Sequence, residues 1–144
     1  MRKKKVWRYY CDFCKKAGCS GGHLKKHESR CTLNPSRTCG FCGLRDEPQP
    51  DLKKAMKLLP DPEKYVVKID EKYAHGFCYK GLDVAIKEAL PKLRNFVGNC
   101  PACILAALRQ KGIPVPIATD FDFKKECRAA WSDFNAAQRE NDYF

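Results

Sequence analysis

The chain has 144 residues, 44% hydrophobic and 31% charged, with a formal net charge of +11. That length holds one domain or two small ones, and no apolar run approaches the length that crosses a bilayer, so a membrane partner is not expected. Ten cysteines require an explanation, either disulfides or metal.

Six of the ten fall in three C-x2-C pairs, Cys11/Cys14, Cys39/Cys42 and Cys100/Cys103. The N-terminus MRKKKVWRYY is basic, but no apolar h-region follows it. The expectation is a cytoplasmic, reducing compartment, where paired cysteines read as metal ligands. Charge is uneven. Residues 1–38 hold eleven Lys/Arg and only Asp12 and Glu28 as acids, which is +9 of the +11. A solvated, solubilising face is the plain explanation. A near-neutral remainder beside so basic an end argues instead for a polyanion partner.

Residues 1–8 form a basic arm carrying Lys3, Lys4, Lys5 and Arg8, with Trp7 as its one aromatic before Tyr9. Cys11, Cys14, His27 and Cys31 follow as C-x2-C-x12-H-x3-C. Two thiolates on a turn, then an imidazole and a thiolate one helical turn apart, can close a tetrahedron around zinc. The stretch resembles the Cys2His2 zinc-finger family, whose members read (F/Y)-x-C-x2-C-x3-F-x5-L-x2-H-x3-H. Tyr9, Cys11, Cys14, Leu24 and His27 match it, and Cys31 stands at the last ligand. Gly18 departs from it, replacing a large apolar residue; Cys19 or Phe13 is expected to fill that gap.

The resemblance implies a ββα finger with its base-facing positions at Ser20, His23 and Lys26. Lys26 can donate to guanine O6/N7. Lys15, Lys16, Lys25 and Arg30 join the arm as phosphate contacts. Gly21 and Gly22 weaken the first helical turn but permit close backbone approach to a partner. Seven residues, TLNPSRT, separate Cys31 from Cys39, as between tandem fingers of the same family. Pro35 stiffens this linker.

Cys39-Gly-Phe-Cys42-Gly43 resembles a zinc knuckle. Its expected partner is Cys100/Cys103, across fifty-seven intervening residues. There Pro101 suits a helix start, and Gly112 suits its end. A knuckle early and a helix-borne pair late resembles the treble-clef class of zinc site. His75 and Cys78 are rival ligands; the alternative places Cys78 in a strand core and His75 in a turn. Between the pairs, Asp51 caps a short helix ending before Pro60, and Tyr65–Ile69 and Phe77–Tyr79 pair as a hairpin. Leu82–Phe96 carries a helical stripe, which Pro91 should kink or split.

Ile113-Pro-Val-Pro is expected to be extended. Phe121–Gln138 places Phe123, Cys127, Ala130, Trp131, Phe134 and Ala137 at helical spacing. Docking on the zinc domain is the expected role of that face; a protein partner is the alternative. The fold expected is therefore a small zinc-stabilised α+β protein in three parts. Residues 1–35 are arm and finger, 36–113 a treble-clef-like domain with a helical insert, and 114–144 a linker and amphipathic helix.

Two Zn2+ per chain are expected. The function expected is nucleic-acid binding without enzymatic activity, DNA in preference to RNA. Trp7, Tyr9, Tyr10 and Phe13, interleaved with cations, also suit single-stranded bases. A protein-interaction adaptor is the main alternative. A zinc-stapled endonuclease is a weaker one, because His75 with Asp70 and Asp83 makes a poor catalytic metal set. Composition and architecture loosely resemble small zinc-finger accessory proteins of phages and bacteria, a likeness that implies no activity.

Overall fold

The computed structural model describes residues 1–69, 76–118 and 120–141, an α+β fold with two short antiparallel sheets and six α-helices among them. The first sheet pairs β1 (Tyr9–Tyr10) with β2 (Ala17–Gly18), Tyr9 opposite Gly18. Helix α1 (Gly21–Arg30) follows at once. Ser20 starts it: the backbone there is extended, and the hydroxyl accepts from His23 N–H at 3.4 Å, as an N-cap does. Leu24 is the buried residue of α1 and meets Cys11 and Cys31 in a cluster of three. So few apolar atoms cannot hold thirty residues by burial.

Gly21 lies close against Tyr9. A Cβ there would lie 3.2 Å from the Tyr9 ring. The close approach that this glycine permits is to the protein's own aromatic. Trp7 does not pack on the finger; it is 85% exposed.

After the linker come α2 (Gly40–Leu44), α3 (Leu52–Lys57), a 3-10 turn at Pro62–Tyr65, and a hairpin of β3 (Val66–Lys68) with β4 (Phe77–Tyr79). Asp51 caps α3 by accepting from Lys53 and Lys54 N–H. Helix α4 (Leu82–Phe96) buries Leu82, Ile86, Leu90 and Leu93. Of the two outcomes expected at Pro91, a kink or a split, the split does not occur: one helix runs through it. Pro91 and Lys87 are both exposed, so the Lys87 carbonyl orphaned by the missing N–H can take water.

Helix α5 (Pro101–Gln110) is the axis of the larger core, with every residue from Pro101 to Leu108 buried. A helix apolar on all sides is one enclosed on all sides. It touches α3 and α6 (Phe123–Asn141). It ends as a full Schellman motif: Gly112 has φ +79°, its N–H donates to Arg109 O, and Ile113 N–H donates to Leu108 O, satisfying carbonyls the helix leaves open. Beyond it the chain is not extended as expected. Val115–Ile117 form a 3-10 turn between the buried Ile113 and Ala118.

Helix α6 docks by its first half. Ala130 is buried, Trp131 lies against Phe41 with ring centroids 5.4 Å apart, and Arg94 grips Glu126 through two nitrogens at 2.7 and 2.6 Å. Glu126 in turn raises the Arg94 pKa. Residues 135–140, further along α6, are exposed. No helix among the described residues is long and apolar enough to cross a membrane.

Candidate metal centres

The finger brings Cys11, Cys14, His27 and Cys31 together, all ligand atoms within 4.8 Å of one another. The β1–β2 turn supplies the first two; His27 comes from α1 and Cys31 caps its end. Cys14 Sγ lies 3.2 Å from His27 Nε2 and accepts from Lys16 N–H at 3.4 Å. That N–H holds the Cys14 thiol below its ordinary pKa, whereas burial pushes Cys31 up. Asp12 N–H donates to Glu28 at 2.9 Å, tying the turn to the helix beside the cluster.

The second cluster is Cys39, Cys42, Cys100 and Cys103, again within 4.8 Å. Cys39 precedes α2 and Cys42 lies in it; Cys100 is the residue that starts α5 and Cys103 sits in its first turn. All four are 0–1% exposed inside the larger core. Sulfur separations are 3.5 Å for Cys39–Cys100 and 3.7 Å for Cys42–Cys103. A disulfide needs about 2.05 Å, so neither contact is one. A tetrahedron with metal–sulfur bonds of about 2.3 Å has edges of about 3.8 Å, close to what these pairs show. Burial, then the Cys100 and Cys39 charges, push the Cys42 thiol up to about 12, while sulfur contacts with Cys100 and Cys103 pull Cys39 down. A shared cation would relieve the mutual opposition to ionisation of four buried sulfurs. Each cluster is able to hold a metal ion, so the chain is compatible with two.

Several contacts around the second cluster carry no motif. Gln49 Oε1 accepts from Cys39 N–H at 2.6 Å, and Gln49 Nε2 donates to Cys39 O at 3.1 Å. Arg37 Nη1 points at Cys103 Sγ from 3.9 Å, and Arg37 Nε donates to Arg30 O at 3.4 Å. One side chain thus touches the second cluster and the end of the finger helix. Gln110 donates to Thr32 O and Asn34 O at 2.9 and 3.0 Å, and Arg109 to Thr32 Oγ1 at 2.9 Å. The linker is clamped onto the end of α5 and is stiffer than Pro35 alone makes it.

The remaining sequence candidates fall as follows. Cys78 is exposed in β4, in neither cluster and in no strand core. His75 and Asp70 lie outside the described residues. Cys127 is half-buried, its thiol pushed up by burial, as for a packing residue. Lys3, Lys4, Lys5, Arg8, Lys15, Lys16, Ser20, His23, Lys25, Lys26 and Arg30 are all exposed. None of the eleven cations of residues 1–38 forms an ion pair among the described residues; the six pairs there all lie between residues 45 and 126. The gap at Gly18 is not filled. Cys19 and Phe13 are exposed, nothing lies within 4 Å of a Cβ built at Gly18, and a hollow of about 330 Å³ opens there, lined in part by Lys16, Ser20, His23 and Leu24.

Comparison of the chain with protein-family models, with curated proteins and with solved structures found no match.

Proposed function

We propose that this is a zinc-stabilised nucleic-acid-binding protein of a reducing, cytoplasmic compartment, binding DNA in preference to RNA and acting as an accessory or regulator, not an enzyme. Zinc is the ion assigned because three thiolates with one imidazole, or four thiolates, at tetrahedral spacing are its usual structural ligand sets. When bound it supplies folding energy and a closed shell, and no reactive position. On this reading the second centre is of treble-clef type, with Cys39/Cys42 as its knuckle. The observation that carries the nucleic-acid reading is the set of eleven cations on and beside the finger, none of them in an ion pair among the described residues. Unpaired cations concentrated at one end of a chain whose remainder is near neutral favour a polyanion partner over a merely solvated face. Lys3, Lys4, Lys5, Arg8, Lys15, Lys16, Lys25 and Arg30 serve phosphates. Ser20, His23 and Lys26 stand where the finger family reads bases, although the Ser20 hydroxyl also serves as the cap.

Fluorescence anisotropy on a blunt DNA duplex between about 50 and 200 mM salt tests this. Engagement of six of these cations gives a log–log slope of about −5. The same duplex in RNA should bind more weakly. Absence of binding at the lowest salt sinks the reading and favours the adaptor alternative. That alternative rests on the exposed far half of α6, where a partner would contact residues 135–140.

A further inference from the structure

Beside the second metal cluster, where the finger helix ends, lies a cavity of about 350 Å³. Its apolar side is made by Phe41, Phe123 and Trp131, its polar side by Arg30, Arg37 and Thr32. No carboxylate lines it among the described residues. Trp131 is 42% exposed, yet its ring is fixed from two directions, by Phe41 at 5.4 Å and by Phe134 edge-on at 5.9 Å. Arg37 is held by its contacts with Arg30 O and Cys103 Sγ. Its Nη2 has no partner among the described residues. Arg30 closes α1, the helix that carries Lys25 and Lys26.

We propose that this cavity takes one unstacked nucleotide of a single-stranded DNA tail, its base against Trp131 and its phosphate between Arg30 and Arg37. The inference rests on the nucleic-acid reading and deepens it. Flat, partly open aromatic faces suit any base. Two guanidinium groups on one side of the cavity suit a phosphate, with Arg37 donating through its Nη2. The volume is within the range of small-molecule sites. An apolar cavity alone would admit a peptide side chain as well. Two arginines with no acid among the lining residues, continuous with a basic finger, favour a phosphodiester. Arg30 closes α1 and also lines the cavity, so the cavity adjoins the finger helix, and a duplex carrying a single-stranded tail is the target that fits both.

Full-length, zinc-loaded protein is titrated with a blunt duplex and with the same duplex carrying a short single-stranded tail. The tail carries 2-aminopurine next to the junction or at its far end. The tailed duplex should bind about tenfold tighter, the gain of one base stacked on an aromatic. Fluorescence of the base at one position along the tail should fall on binding, while the other stays unchanged. Trp131→Ala should bring the tailed-to-blunt affinity ratio to about one, and Trp131→Phe should restore most of it. A wild-type ratio of one, or equal fluorescence changes at both positions, overturns the site while leaving the finger reading intact. No binding of either oligonucleotide overturns the finger reading first. The fluorescence comparison uses wild-type protein, so its outcome does not depend on the variants folding.

Discussion

Gly18 shows how little the finger's own core can contribute to its shape. The resembled family fills this position with a large apolar side chain; here it is empty, and a hollow stands beside Leu24. The finger nevertheless has its strands, its cap and its ligand cluster, so on the zinc reading chelation, not core volume, carries its shape. Filling the hollow should then add stability. Gly18→Phe is expected to raise finger stability by about 0.5–2 kcal/mol, because the position has ordinary strand backbone and open space around its Cβ. Slower zinc release to a chelator, read by a colorimetric indicator, is the check; faster release means the added ring strains the β1–β2 turn. At this scale the ligand spacing was fully legible, since C-x2-C and H-x3-C are local facts of turn and helix geometry. The Arg37, Gln49 and Gln110 contacts were not, because most of their partners lie far away in sequence. The linker turn did carry a local signal. Asn34-Pro35-Ser36 is turn chemistry; Asn34 is buried, accepts from Ser36 N–H and donates to Glu28 O.

Between elements, the joints are polar while the cores are apolar, and this separates what periodicity can show from what it cannot. The stripes on Leu82–Phe96 and on the C-terminal segment announced their helices, because a 3.6-residue repeat needs only the local sequence. Where α6 docks depends instead on contacts remote in sequence, among them one ion pair. Arg94 sits in α4 and Glu126 in α6, both about three-quarters buried, and Asp120 O accepts a further bond from Arg94 at 3.0 Å. Removing one partner leaves the other half-desolvated and unpaired. Glu126→Ala should cost about 1–3 kcal/mol and loosen the Phe41–Trp131 contact. A red shift and rise in solvent quenching of tryptophan emission would report it, measured with Trp7→Phe to remove the exposed fluorophore. An unchanged spectrum would mean that Ala130 and the aromatic contacts suffice to seat the helix.

For the molecule as a whole, the two centres differ in how much they are asked to do. The first has three buried residues around it, two of them ligands; the second is set in an extended core built on α4 and α5, where Leu82, Ile86, Leu93, Ile104 and Leu108 are fully buried. Graded chelation should therefore separate them. The finger should lose its ion first, and its sheet and α1 with it, since nothing else offsets the chain entropy of about 1–2 kcal/mol per ordered residue. The second cluster is inaccessible to solvent and should release its ion only when the core opens. Native mass spectrometry should show a one-zinc species that persists. At that stage circular dichroism should have lost the signal of α1 but kept that of α4 and α5. Cys100→Ser should abolish the persistent species and leave the finger's ion in place. The linker adds a consequence. Thr32 and Asn34 are clamped by Arg109 and Gln110 on the last turn of α5, so emptying the second centre should also free the finger's orientation. Hydrogen exchange at Asn34, Arg37 and Thr38, whose backbone N–H groups are all bonded, should accelerate in Cys100→Ser while Leu24 stays protected. Simultaneous loss of both ions, at one chelator concentration, would mean instead that finger and core unfold as a single unit and that the clamp, not the chelated sulfurs, sets the limit on stability.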